Sequence, residues 1–504
     1  MEDVHIEAPF AVEFPLPFRV LLLGGLGILC WATNLHGLNL LGIDVAGALE
    51  LRPQDAGFLS SPRLTVPPRT QGDARALARA VYRLFFAYGT SMAAAWLLFR
   101  ICTRDLQEYV DWYKFIPAVS MLCVVMGAIF PFGVLQSHVR DQFLLAIRRC
   151  CSSPTSMPTY FSDIILADIM TSFAKVIGDI WLSVRMFWPG GSLLVFPSQD
   201  GWQGMIVPVL MSIPYLIRFR QCVIDYMLPT NTSKRPMWNA LKYASSFPVI
   251  FLSAAQRTVA NDIAIEKGVF DVGEHPLFRL WLLSVAINSL YSFWWDVTND
   301  WGLELLRPKA KIGVRHAPRQ LVLPTLHTQE TVAGTSSLHT RSPSQRHRIL
   351  NGDATDYTPS SRALPEKNSS HPWGLRHTLL FPAIVYPFVI FLNLVLRLTW
   401  SVKLSSHLHH ASSSTSLGGD SDSGFYVPGA AVIFWIEVAE LFRRWIWVFF
   451  RVEWECVKRR EQEQEFAPEI NDLELEGLGL DVQGGSLQHS SGSGDVVFDE
   501  KATE

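Results

Sequence analysis

Charge is what this sequence has least of. Only 18% of its 504 residues are Asp, Glu, Lys or Arg, against about 25% in an ordinary soluble domain, and the formal net charge of −3 gives no basic surplus for nucleic acid. Cysteine is equally sparse. The seven that occur (Cys30, Cys102, Cys123, Cys150, Cys151, Cys222, Cys456) are scattered, several inside apolar runs. They have neither the paired spacing of a metal site nor the density of a disulfide scaffold, so packing is their expected role. The opening residues carry acids (Glu2, Asp3, Glu7, Glu13) where a cleavable signal peptide would carry bases, and the apolar run from Phe18 reads as a retained first span. His36, His275, His377, His407, His409 and His410 show no metal-ligand spacing. No nucleophile–base pair, metal triad or nucleotide motif is present either, so neither an enzyme nor a cofactor or metal is expected. Gly24, Gly25 and Gly27 lie in an apolar run, where glycines serve helix packing.

What is abundant is apolar. Hydrophobic residues make up 49%, aromatics 12%, and the mean hydropathy is +0.19. Seventeen tryptophans suit a chain with two membrane interfaces to anchor. Runs long enough to cross roughly 30 Å of hydrocarbon fall near 18–42, 82–101, 115–136, 161–188, 203–222, 239–258, 277–297, 377–402 and 428–450. The fold class expected is therefore all-α, a polytopic membrane helix bundle of about nine or ten transmembrane helices with no soluble globular domain. A tenth helix would come from 137–160, tilted or broken.

Three divisions follow. Residues 1–160 hold the N-terminal helices and loops, 161–466 a second transmembrane block, and 467–504 an acidic, disordered tail whose acidic run starts at Glu461. Within the second block, 307–372 is rich in Ser, Thr, Pro, Arg and His and reads as a flexible loop. Basic residues of that loop (Arg307, Lys309, Lys311, Arg315, Arg319, Arg341, Arg346, Arg348) and those after the last span (Arg451, Lys458, Arg459, Arg460) place both segments, and the C-terminus, in the cytosol.

The residues with most to say are the charges inside apolar runs. Each ionised side chain at a bilayer centre costs about 2.5–3.5 kcal/mol on insertion scales, and survives by facing a partner or a wet cavity. Asp168, Thr171, Lys175 and Asp179 follow spacings of three, four and four, which puts them on one face of a continuous helix. A structural Asp168–Lys175 pair is the plain alternative there. Arg218 and Arg220 close one span, Lys242 and Tyr243 open the next, and Asp296 ends another. Arg397 lies deep in its span, one turn before Trp400. Glu440 and Arg444, with Glu437, share a face of the last span, beside Arg443. For Arg218, Arg220 and Arg451, snorkelling at a span end is an adequate explanation. Taken together, arginine forks, a lysine and competing carboxylates describe a site that replaces the hydration of a compact anion and then lets it go. Phosphate, sulfate and a carboxylate all fit that description.

Four stretches narrow the choice: Ser162–Asp168, Arg218–Cys222 with Asn239–Tyr243, Trp295–Leu303, and Arg443–Glu453. In order and spacing they resemble the EXS-domain family, which includes the phosphate exporters of animals, plants and yeast and the Golgi proteins of the yeast ER-retention-defective type. The resemblance runs from about Phe161 to Phe466, interrupted at 307–372, with a weaker echo from Phe18 to Asp44. It implies a phosphate pore lined by Asp168, Arg218, Lys242, Tyr243, Asp296, Arg397, Trp400, Glu440, Arg443 and Arg444. Thr171 departs from it, standing where better-known members have asparagine. Because only about 17 residues precede the first span, no room is left for the SPX domain of plasma-membrane exporters, and the expected relative is the Golgi branch. That branch implies return of lumenal phosphate, a by-product of glycosylation, to the cytosol. Its implied partners are inorganic phosphate, membrane lipid, a cytosolic Golgi sorting adaptor and glycosyltransferases. The alternative is a non-transporting scaffold that sorts and retains those glycosyltransferases.

Overall fold

The structure, a computed structural model, describes residues 10–43, 45–49, 71–129, 137–152, 159–195, 197, 202–267, 276–303, 375–376, 378–398 and 430–477. Its elements are helical: α1 (Phe10–Glu13), α2 (Leu16–Leu40), α3 (Val45–Leu49), α4 (Gln71–Thr103), α5 (Gln107–Val110), α6 (Phe115–Ile129), α7 (Ser137–Ser152), α8 (Phe161–Ser172), α9 (Ala174–Phe187), α10 (Gln203–Met227), α11 (Arg235–Ala244), α12 (Ser246–Lys267) and α13 (Pro276–Trp295). A π-helical turn, Asp296–Asp300, continues α13, and α14 (Val385–Arg397) and α15 (Ala430–Gly477) complete the set. No strand occurs among the described residues.

Among the described residues, four helical stretches are long and apolar enough to cross a membrane: Leu16–Leu40, Arg75–Thr103, Gln203–Met227 and Pro276–Asp300. Phe115–Ile129 and Val385–Arg397 are shorter apolar helices. The chain is thus an all-helical membrane protein. Its exterior is apolar in the way lipid requires. On α13, Leu280, Leu283, Ile287, Leu290 and Trp294 are all exposed, and their three- and four-residue spacing marks one outward face. Trp281, Val285, Ser292 and Trp295 on the same helix are buried.

The inner contacts centre on α2, which packs against α4, α9 and α15, while α10 packs against α8, α9, α11 and α12. Leu35, Leu38, Phe161, Trp301, Tyr386 and Trp447 belong to one buried cluster joining α2, α8, α14 and α15 to the segment after α13. A second, with Phe18, Phe99, Ile116 and Leu182, joins α2 to α4, α6 and α9.

Three expectations change. The single spans read at 161–188 and 239–258 are each two helices meeting at a break, at Phe173 and Ser245. The 137–160 stretch contains α7, whose Arg140, Asp141, Arg148 and Arg149 make it a charged helix rather than a span. The acidic segment read as disordered from Glu461 is helical as far as Gly477, because its Glu, Gln and Leu residues are good helix formers and extend a helix already nucleated. The 307–372 loop and residues 478–504 lie outside the described residues.

Candidate functional site

Two breaks and one wide turn point the charged side chains inward. At the first break Phe173 leaves helical geometry and its N–H bonds Met170 O at 3.0 Å. Its ring lies against Gly27 of α2, where a Cβ would come within 2.5 Å of Cζ. The α8 hydroxyls just before the break, Thr171 and Ser172, are buried. At the second break Ser245 Oγ lies within hydrogen-bond distance of Lys242 O (2.7 Å) and of Asn288 Oδ1 of α13 (2.8 Å), which places the end of α11 against α13. The π-helical turn closes through Trp301 N–H to Asp296 O at 2.9 Å. It then reverses at Gly302, whose φ of +63° suits glycine and whose missing Cβ makes room for the Trp454 ring.

These elements assemble one network. Arg218 Nε donates to Asp168 Oδ1 (2.9 Å) and to Tyr243 Oη (3.2 Å). Tyr243 Oη donates to Asp168 Oδ1 at 2.5 Å, and Arg218 Nη1 to Gln221 Oε1 at 2.6 Å. Next along the chain, Lys242 Nζ lies 3.1 Å from both Asp296 Oδ1 and Asp300 Oδ2. Asp296 has no exposed surface and also holds Arg397 Nη2, with Arg443 Nη1 3.5 Å away. On α15, Arg443 grips Glu440 with two hydrogen bonds, 2.8 and 2.5 Å, a bidentate arrangement that fixes both groups. Glu440 Oε1 accepts from Ser172 Oγ at 2.7 Å. Arg444 donates to Ser172 Oγ (2.9 Å) and Thr171 Oγ1 (3.0 Å), and lies over the Trp447 ring at 4.7 Å.

The network is incomplete in one respect. Five cations (Arg218, Lys242, Arg397, Arg443, Arg444) face four carboxylates (Asp168, Asp296, Asp300, Glu440), an excess of one positive charge. Arg444 is the one of the five with no direct ion pair to these carboxylates, its hydrogen bonds going to the neutral Ser172 and Thr171, and it meets Glu440 through Ser172 Oγ. Three guanidinium nitrogens, Arg397 Nε, Arg443 Nη1 and Arg444 Nη1, are buried with no hydrogen-bond partner. A buried donor left open costs about 1–3 kcal/mol, more when charged. They belong to arginines of α14 and α15 that share one network, and guanidinium donors of this kind suit an oxyanion.

Nine residues expected from the sequence therefore share one network: Asp168, Arg218, Lys242, Tyr243, Asp296, Arg397, Glu440, Arg443 and Arg444. Trp400 lies outside the described residues. Several readings are corrected. Asp168 pairs with Arg218, not Lys175, since the break at Phe173 ends the continuous face on which that pairing depended. Lys175 instead pairs with Asp179 and approaches Glu437 at 3.7 Å. Arg218, expected in the site, is 3% exposed, which sets aside the alternative of a span-end anchor. Arg451 is held by Glu455 at 2.9 Å and covers the Phe161 ring, a structural pair rather than a snorkelling tail. Thr171 keeps a definite place, donating to Asp168 O at 2.7 Å while accepting from Arg444. Ser172, Gln221 and Asp300 were missed; each lies within four residues of a predicted member, and helical spacing from it was the available signal. Tyr215, one turn before Arg218, is electrostatically close to Glu440, Arg444, Arg443 and Arg397 and was also missed.

The model of the EXS family matches residues 14–457. The chain belongs to the EXS family. Among EXS relatives, Protein ERD1 homolog 1 of Schizosaccharomyces pombe is 27% identical, over 69% of this chain and 70% of its own length. Protein ERD1 homolog 2 of the same yeast is 23% identical over 89% of this chain and 98% of its own. The Arabidopsis thaliana protein Phosphate transporter PHO1 homolog 9 is 23% identical over 68% of this chain, but only 32% of its own length is covered. The EXS match begins just after α1 and runs into α15 as far as residue 457, taking in every helix of the network, so α2 and α4 belong to the same family unit as α8–α14 and the first part of α15.

Proposed function

We propose that this protein carries inorganic phosphate across the membrane through the site formed by Asp168, Arg218, Lys242, Tyr243, Asp296, Arg397, Trp400, Glu440, Arg443 and Arg444. The observation that supports the reading is that Arg397 Nε, Arg443 Nη1 and Arg444 Nη1 are buried without a hydrogen bond, in a network of five cations and four carboxylates. A phosphate monoanion supplies both what the donors lack and the missing charge. Arginine forks match phosphate oxygens bidentately, and the nearby carboxylates offer the same arginines an alternative partner, which allows release. A relative named as a phosphate transporter supports phosphate over sulfate or a carboxylate. No covalent chemistry is involved.

For location we infer the Golgi membrane, with flux from lumen to cytosol and the C-terminus in the cytosol. The ERD-type resemblance supports this, together with matches that span 70% and 98% of the two yeast ERD1 homologues. Glycosylation would release the phosphate, and a cytosolic adaptor that retains glycosyltransferases is the accompanying partner. The domain division follows the same reading, with 161–466 as the transport block.

The test is downhill flux of labelled phosphate in proteoliposomes with sulfate as competitor. Flux should be lost in Arg397→Ala and Arg444→Ala protein that remains folded, and sulfate should compete weakly. Normal flux in both variants refutes the site; preferential sulfate flux refutes the substrate.

A further inference from the structure

One turn before Glu440 on α15, Glu437 belongs to a second charge cluster that the central network does not use. Lys175 and Asp179 join it from α9, and Arg19 of α2 lies nearby, its Nη1 donating to Ala430 O at 3.5 Å and its guanidinium over the Phe10 ring at 5.3 Å. Lys175 Nζ is bonded to Asp179 and lies 3.7 Å from Glu437 Oε1. Asp179 and Glu437 are themselves within hydrogen-bonding reach, and Arg19 is electrostatically close to both. Apolar residues packed in this region include Phe10 from α1, Phe14 just after it, Met121 from α6, and Leu26, Phe173 and Val438. The α1 carboxylate Glu13 turns away to Arg100 at 3.7 Å. From α10, the groups against this part of α9 are Val207 and Met211, packed on Gly178.

Two features point to a ligand. Arg19 is 6% exposed and its Nε has no hydrogen-bond partner; Glu437 Oε1 likewise accepts no hydrogen bond. Lys175, by contrast, is 38% exposed, so the cluster has an open side. With all four groups ionised it is neutral. Two carboxylates in contact can share one proton, and an anion that engages Lys175 and Arg19 removes the positive charge that kept both ionised. A buried site then stays neutral only if a proton enters with the anion.

We propose that Arg19, Lys175, Asp179 and Glu437 form a second oxyanion station, about 10 Å along α15 from Arg443 and Arg444, which loads an anion together with a proton held between Asp179 and Glu437. The proposal rests on the phosphate reading for the identity of the anion only. The proton is a property of the carboxylate pair.

The experiment uses full-length protein in lipid nanodiscs, read by perfusion infrared difference spectroscopy as chloride is exchanged for phosphate at constant pH. A protonated-carboxyl band should appear with phosphate, vanish in Glu437→Gln and Asp179→Asn, and lose its phosphate dependence in Lys175→Met. In proteoliposomes at limiting phosphate, the rise in wild-type flux as pH falls from about 8 to about 6 should shrink by at least about half in Glu437→Gln, the same speciation of phosphate applying to both. No phosphate-induced band in the wild type, or a band unchanged in Glu437→Gln and Asp179→Asn, overturns the station. Presence of the band with no phosphate flux supports the station and overturns the transport reading, so the two fail separately.

Discussion

Replacing Arg444 by methionine separates a binding role from a structural one. In the network Arg444 is the cation without a carboxylate, donating to Ser172 and Thr171 at 2.9 and 3.0 Å. Removing it costs those two hydrogen bonds, about 3–6 kcal/mol together, since each involves a charged group. It also removes an uncompensated buried cation, whose effective desolvation penalty is several kcal/mol. The two nearly offset, so thermal stability should shift by a few degrees at most. The loss to a bound oxyanion is different in size. One hydrogen bond between charged groups contributes about 1.5–3 kcal/mol, equivalent to about ten- to 150-fold in affinity. Arg443→Met is the contrast, because it strands Glu440 and takes one cation from Asp296; breaking a buried pair this way costs about 3–5 kcal/mol. Both variants are measured by half-saturation for phosphate flux in proteoliposomes and by thermal unfolding in detergent. Arg444→Met should raise half-saturation by about ten- to 150-fold with unfolding nearly unchanged, and Arg443→Met should unfold markedly earlier. An Arg444→Met protein with wild-type half-saturation, or with a stability loss equal to that of Arg443→Met, would refute the assignment of Arg444 as the anion's cation.

Asp168→Asn leaves Arg218 and Tyr243 without their shared carboxylate and should lower unfolding stability by about 3–5 kcal/mol, while Asp168→Glu recovers part of the loss; a neutral Asp168→Asn would remove the structural role. Asp296→Asn frees three cations at once, so phosphate should bind more tightly and leave more slowly, seen as a lower half-saturation with a lower maximal flux. Gly27→Leu drives a side chain into the Phe173 ring and should disturb the α8–α9 break, lowering both stability by about 1–3 kcal/mol and flux; a fully active variant would show that the break does not position Thr171 and Ser172.

The membrane class and most of the site were legible because both follow from cost. A charge inside an apolar run requires a partner, and Asp168, Lys242, Asp296, Arg397 and Glu440 could be picked out on that ground without knowing the partners. Pairing was harder. Asp168 and Lys175 share a face only while the helix continues, and at the interruption the Phe173 ring packs where a side chain at Gly27, far away in sequence, would stand. The Ser245 break likewise meets Asn288, 43 residues on. Neither contact leaves a local signature in propensity or periodicity. Ser172 and Gln221 escaped notice for the opposite reason: uncharged hydroxyls and amides are cheap in a helix, so nothing about their cost marks them. Arg218 shows the limit of position alone, since a span end by sequence is a buried interior by tertiary contact.

Asp296 explains why a site rich in arginine need not trap its anion. Its carboxylate is shared among Lys242, Arg397 and Arg443, and Asp300 gives Lys242 a second partner. Each of these cations therefore has a protein carboxylate to return to when an anion departs. The anion needs to displace such contacts only in part, and the protein does not have to leave bare charge behind. Arg444 lacks such a fallback and supplies the net attraction; Glu440 keeps Arg443 from adding to it in full. Affinity is thus set by the difference between one open cation and several contested ones. A pore built from unopposed arginines would bind harder and pass less, and the π-helical turn that puts Asp296 and Asp300 on the same lysine is the structural feature that prevents it.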